Sequence, residues 1–234
     1  SGDSPVIVPV VDVGVMRVAV GQRRVFVPVR VGGARIHARR VRVLVMRVDI
    51  YAPIRYGVGA HATLAVECPD LADRVLTVSG VSKSHAMTGF RIGVAAGPAW
   101  LIRAMEKLQS HSSGNPASVS QAAAVAAFEG PQDFLQDWRE RFRARRDMVC
   151  AAINAVPGLS CPVPDGAFYC MVDAAPLMDR FKDDEALAFH LLDHGVAVVQ
   201  ASAFGGKDGF RISFAADDAV LAEALRRIAK ALAW

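Results

Sequence analysis

Between Leu76 and Pro98 the chain reads LTVSGVSKSHAMTGFRIGVAAGP, and two residues in it could do chemistry together. Lys83 follows a strand-like run and Arg91 stands eight residues later, with Ser79, Ser82 and Thr88 as neighbouring hydroxyl donors. An amine attacks a carbonyl only in its neutral form, so it needs a partly desolvated setting or nearby cations. The rim of a sheet, just beyond a buried strand, supplies such a setting. A guanidinium with hydroxyl donors clamps a phosphate, and a lysine amine beside a phosphate clamp is what a pyridoxal phosphate Schiff base requires. The K-x(7)-R spacing alone occurs in many loops, and by spacing Lys83 also reads as a solvated loop lysine.

The elements that must position these residues follow from periodicity. Val6–Val8, Arg24–Val29, Val41–Val48 and Arg74–Val78 are β-branched runs bounded by turn residues, the pattern of buried strands. From Pro98 the period changes: Trp100, Leu101, Ala104, Met105 and Leu108 recur at helical spacing. An Ala-rich helix ends at Gly130-Pro131, and a longer one from about Asp133 carries Phe134, Trp138, Phe142, Met148 and Ile153 until Pro157-Gly158. A small α+β unit follows. Its expected strands are Ala167–Val172, Val196–Val199 and Phe210–Phe214, and its helices are Asp184–His194, closed by Gly195, and Asp217–Ala233. The pattern predicts a domain change near Pro131, with residues 1–130 as a larger domain and 131–234 as a smaller one.

Of 234 residues, 53% are apolar and 21% charged, enough to build a substantial core. The net charge of +4 is modest. Arginines crowd the first fifty residues between valines, but without interleaved aromatics or a binding motif, so no nucleic-acid partner is expected. No apolar run reaches the ~18 residues of a membrane helix, so no membrane partner is expected. Cys68, Cys150, Cys161 and Cys170 form no C-x-x-C pair and have no histidine at ligand spacing. They read as free thiols of a reducing, cytoplasmic protein, with no metal expected.

The string SGVSKSHAMTGFRIGVAAGP closely resembles the lysine segment of the class I aminotransferases, the fold type I pyridoxal phosphate enzymes related to aspartate aminotransferase. The resemblance continues in order through DIYAPIRYG, QSHSSGNPASVSQAAAVAAFEGP, PDGAFYCMVD and GVAVVQASAFG…GFRISFAA. It implies an α/β fold: an incomplete large cofactor-binding domain and a smaller α+β C-terminal domain. It implies pyridoxal 5'-phosphate as cofactor, an aspartate-like L-amino acid and a 2-oxo acid as substrates, and a homodimer. Carried across, Lys83 would form the Schiff base and move the substrate α-proton, Arg91 would bind the cofactor phosphate, and Tyr51 would donate to the pyridoxal 3'-oxygen. Arg211 would hold the substrate α-carboxylate. Taken singly, Arg211 reads as a structural ion-pair residue and Tyr51 as a strand-end aromatic. His85 and His111 receive no role.

The chain departs from the family pattern in three places. Val48 stands three residues before Tyr51, where the family has the aspartate that pairs with the pyridinium nitrogen. Asp49 is adjacent, but one residue along a strand turns the side chain to the other face unless a bulge intervenes. The N-P-T-G-type loop is absent, with only about a dozen residues between VFVPVR and VRVLVMRVDIY. The usual N-terminal arm and Gly-rich phosphate helix do not precede Ser1, and Val13 falls where an aromatic would stack on the ring. The expectation is therefore an N-terminally truncated, internally shortened chain. A catalytically impaired homologue that binds cofactor or amino acid, or acts only as a partner subunit, is the alternative. The effector-binding half of a regulator is a third.

Overall fold

The computed structural model describes residues 6–10, 16–20, 23–27, 43–57, 59 and 61–233. Val13 and the segment between VFVPVR and VRVLVMRVDIY lie outside these residues. The strands are β1 (Val6–Val10), β2 (Met16–Val20), β3 (Arg23–Val27), β4 (Val43–Val48), β5 (Val75–Ser79), β6 (Val94–Ala96), β7 (Tyr169–Asp173), β8 (Val199–Gln200) and β9 (Gly209–Ser213). The helices are α1 (Leu64–Glu67), α2 (Ala99–Ser112), α3 (Ser118–Glu129), α4 (Phe134–Asn154), α5 (Asp184–Asp193) and α6 (Asp218–Leu232). Two compact units result: Ser1–Pro53 with Gly59–Pro131, and Ile54–Val58 with Gln132–Trp234.

In the first unit a four-stranded sheet has the order β1-β4-β5-β6. β1, β4 and β5 run parallel, and β6 returns antiparallel against β5. The three parallel strands are the β-branched runs expected from sequence. β6 was not expected: Val94, Ala95 and Ala96 carry no period, and they become a strand only because Ser79, Val78 and Thr77 offer them a ladder. The return is tight. A Cβ on Gly97 would lie 3.0 Å from Leu76 Cδ1 and 3.1 Å from the Val75 carbonyl, so a side chain there would press on β5. β2 and β3 form a separate antiparallel pair. Leu44, Val45, Val75 and Leu76 are buried on the central strands, and Val81, Ile92 and Ala124 form a cluster with Met87 and Ala127 packed on it.

The helical spacing of α2 predicts an apolar face, and α2 is indeed a helix. Yet it buries no residue: Trp100 is 50% exposed and Leu108 72%. Periodicity locates a face without saying what covers it.

The second unit is a three-stranded antiparallel sheet of order β7-β9-β8 with α4, α5 and α6. Alternation along β7 buries Cys170 and Val172 and exposes Met171. Inward residues of β9 (Phe210, Ile212) join Phe214, Leu187, Leu191 and Ile228 in the core. On α4 the expected stripe is an aromatic ladder: Phe134 meets Trp138 at 5.6 Å, Trp138 meets Phe142 at 6.4 Å, and Phe142 stacks on Phe168 at 5.4 Å. Asp183 caps α5 by accepting from the Ala186 amide, and Gly195 (φ +77°) follows its end, as its position in the sequence predicts. The strand expected over Val196–Val199 is ladder-bonded only at Val199–Gln200.

Candidate active site

Lys83 sits in the turn that leaves the carboxyl end of β5. The His85 amide donates to the Val81 carbonyl at 3.0 Å, closing the turn. Val81, wholly buried, and Ser84, 2% exposed and bonded to His85 Nδ1 at 2.8 Å, anchor it on either side of the lysine. Lys83 is thereby held half-buried. Tyr51 lies just beyond the carboxyl end of β4, in a turn closed by the Ala52 amide on the Asp49 carbonyl at 3.0 Å. β4 and β5 are adjacent and in register at Val48 and Val78, so both chains emerge at one rim of the sheet. The result is Lys83 Nζ over the Tyr51 ring, 6.0 Å from its centroid. Sequence spacing could not show this proximity across 32 residues; parallel pairing creates it.

Arg91 takes a left-handed backbone, φ +50°, and is exposed, with Nη1 donating to the Thr88 carbonyl at 3.0 Å. Ala86, in the same loop, also has positive φ, +52°. Such conformations cost non-glycine residues about 1–3 kcal/mol and gather at ligand clamps.

Val48 and Asp49 take opposite faces. The β4–β5 register runs from Val45 to Val48 without a bulge, and the Asp49 amide continues the ladder to the Val78 carbonyl at 2.8 Å. The bulge that would bring Asp49 onto the Val48 face is absent from this stretch. Val48 is 48% exposed, whereas Asp49 is buried, with Oδ1 accepting from Arg47 Nε at 2.5 Å and Oδ2 3.3 Å from His61 Nε2. His61 and Arg47 were invisible as a set in sequence, because only the fold folds back the segment after Tyr51 to meet the end of β4.

Arg211 belongs to the second unit, on β9 opposite Met171 of β7 and Val199 of β8. Its guanidinium carbon lies 4.2 Å from the Tyr169 ring centroid and 4.0 Å from that of Phe204. Among the described residues it makes no ion pair. Rings on the guanidinium faces leave the in-plane N–H edge available for a carboxylate. The turn that carries Phe204 is pinned from α5: buried Asp184 accepts from the Ser202 amide at 2.8 Å and from Ser202 Oγ at 2.9 Å. This supporting aspartate was missed, since an acid in a first helical turn ordinarily signals only the helix start.

Pyridoxal phosphate can be tested against these residues end by end. An amine half-buried beside a phenol suits the aldehyde and 3'-oxygen. An exposed arginine with a left-handed backbone, its guanidinium bonded only to the Thr88 carbonyl among the described residues, suits the phosphate. Val48 has no acid to offer the ring nitrogen, and the adjacent Asp49 carboxylate lies on the opposite face of β4, where Oδ1 accepts from Arg47.

The family model described as aminotransferase class I and II matches residues 36–228. Aspartate aminotransferase of Rhizobium meliloti strain 1021 is 48% identical over 201 residues, covering 82% of this chain and 49% of the relative. Aspartate/prephenate aminotransferase of Cereibacter sphaeroides is 46% identical over 198 residues, covering 81% and 50%. Among solved structures, the R. meliloti aspartate aminotransferase superposes with a TM-score of 0.76 at 47% identity, over 81% of this chain and 50% of that one. The aromatic aminotransferase of Pyrococcus horikoshii gives 0.74 at 31% identity, over 81% and 51%. The chain spans about half the length of the relatives it matches. With the family match extending over most of its residues and fold agreement at substantial identity, this chain belongs to the class I and II aminotransferase family.

Proposed function

We propose that this chain serves a pyridoxal phosphate-dependent aminotransferase that moves an amino group between an L-amino acid, aspartate-like in type, and a 2-oxo acid. The observation that carries this is Lys83 held beside Tyr51 at the carboxyl rim of a parallel sheet. Residues 1–130 form the cofactor-binding portion in this reading and 131–234 the small domain. When bound, pyridoxal phosphate would supply a carbonyl for the amine and an electron sink for the substrate carbon. Lys83 holds and moves the α-proton, and the fixed turn keeps its amine within reach. Tyr51 donates its hydroxyl to the 3'-oxygen. Arg91 gives up its bond to the Thr88 carbonyl to hold a phosphate dianion, a far stronger charged acceptor. Arg211, with its faces already covered, grips a substrate carboxylate through two parallel N–H bonds and fixes the orientation of the Cα–H bond. A homodimer is supported by the uncovered apolar stripe of α2, and a cytoplasmic setting by the unlinked thiols of the second unit.

The test is spectroscopic. Mixing the purified chain with pyridoxal phosphate should produce the visible band of a lysine-bound cofactor, absent in a folded Lys83→Ala variant and bleached by aspartate. No band, or a band unchanged in Lys83→Ala, rejects this reading.

A further inference from the structure

Away from Lys83, the core of the second unit gathers three of the four cysteines. Cys150 Sγ lies 3.7 Å from Cys161 Sγ and 3.6 Å from Cys170 Sγ, and all three sulfurs fall within 4.8 Å of one another. Their residues are 3%, 4% and 0% exposed. Three separate devices converge here. Cys150 is on the buried face of α4 with Val149 and Ile153, and Cys170 is on the inward face of β7 opposite Ile212. Cys161, in the segment between them, is clamped to α4 by one side-chain amide: Asn154 Oδ1 accepts from the Cys161 amide at 2.7 Å, and Asn154 Nδ2 donates to its carbonyl at 3.1 Å. The set spans helix, loop and strand, so the three cysteines show no ligand spacing along the chain.

Metal–thiolate bonds of about 2.3 Å would hold the sulfurs of a shared three-coordinate centre roughly 3.4–4.0 Å apart, close to the spacing already present. No fourth histidine, cysteine, aspartate or glutamate joins the cluster among the described residues. Zinc, which takes four ligands, would have to draw its fourth from water inside this buried cluster. Charge narrows the choice. Three thiolates around a monovalent or divalent ion leave a net negative charge in the interior, where an unpaired charge costs several kcal/mol. The neighbouring cation, Arg146, is already engaged with Asp147, the Pro164 carbonyl and the Tyr56 ring. A trivalent centre gives a neutral complex.

We propose that Cys150, Cys161 and Cys170 form a three-thiolate site for a thiophilic trivalent metalloid, with arsenous acid as its ligand class. The reaction balances without redox change: three thiols and As(OH)3 give three As–S bonds and three waters, each thiol proton leaving with one hydroxyl. Cys161 attacks first. Its flanking residues Pro162, Val163 and Asp165 are exposed, giving arsenous acid an approach to it.

The experiment uses the full chain, kept reduced with a phosphine, and sodium arsenite as probe. Native mass spectrometry should show one adduct per chain, heavier by one arsenic less three hydrogens, with Cys68 as the one thiol still titratable after denaturation. Cys68→Ser should bind unchanged. Cys150→Ala, checked for folding by circular dichroism, should lose affinity about 100-fold or more, because the third bond is an intramolecular step. The proposal is overturned by no adduct at equimolar arsenite, by an adduct that retains a hydroxyl on two thiols, or by zinc or monovalent copper displacing arsenite in competition. The wild-type mass and thiol count decide the matter even if the variant does not fold.

Discussion

Gly209 begins β9, two residues before Arg211, and its substitution by alanine tests the geometry of the small domain directly. Gly209 pairs with Asp173 of β7. A Cβ there would fall on the Val172 carbonyl oxygen, 3.2 Å from the Val172 carbonyl carbon and 3.4 Å from Asp173 Cα. All three are backbone atoms of a paired strand, so no side chain can swing aside. Relief requires β9 to part from β7 at this end, breaking the bond from the Ala174 amide to the Asp208 carbonyl (2.8 Å) and loosening wholly buried Phe210. Leaving one or two buried backbone groups unsatisfied costs about 1–3 kcal/mol each, and with disturbed packing the total is about 3–5 kcal/mol. At a urea slope near ~2 kcal/mol/M this moves the midpoint by about 1.5–2.5 M. Gly205→Ala is the control: its φ is +78° but nothing lies within 4 Å of its Cβ, so it should cost only about 1–2 kcal/mol. Urea unfolding followed by circular dichroism, with amide exchange on β7 and β9, reads both variants. If Gly209→Ala proves no worse than Gly205→Ala, the β7–β9 register that places Arg211 is wrong.

Three further outcomes follow from other parts of the fold. Val48→Asp puts a carboxylate on the half-exposed face of β4 opposite Asp49, and with cofactor and aspartate present it should raise single-turnover transamination about 10²-fold; an unchanged rate would mean that the Val48 face does not meet the cofactor ring. Asp184→Ala leaves the Ser202 amide without its acceptor and should cost about 1–3 kcal/mol in thermal or urea unfolding, with faster amide exchange over residues 201–204. Glu223 accepts from Arg226 and Arg227, which hold its carboxyl down to about 2 from an ordinary 4.5. A lowered acid pKa stabilises the fold above pH 4.5, and the contribution fades as pH falls toward about 2. Wild type should therefore exceed Glu223→Gln in stability above pH 4.5, with the gap closing in acid and in high salt.

Much of this protein was legible before any coordinates. The β-branched runs expected at Val41–Val48 and Arg74–Val78 do become strands β4 and β5, and Leu44, Val45, Val75 and Leu76 of them are buried. Helix α4 declares itself by its aromatic stripe, and α5 and α6 by their aspartate caps at Asp183 and Asp217. The Lys83 segment carries its resemblance in a contiguous string, which any comparison of sequences can see. Tertiary structure alone decided the rest, for one reason: it concerns residues whose neighbours are distant in the chain. β6 is a strand by virtue of the edge it meets. Asp49 faces Arg47 and His61, on the side of β4 opposite Val48, because the ladder passes it without a bulge. Arg211 lies between two rings donated by β7 and a turn pinned from α5, and three thiols meet from a helix, a loop and a strand. A one-dimensional pattern fixes which way a side chain points relative to its own element; only packing of one element on another fixes what it then touches.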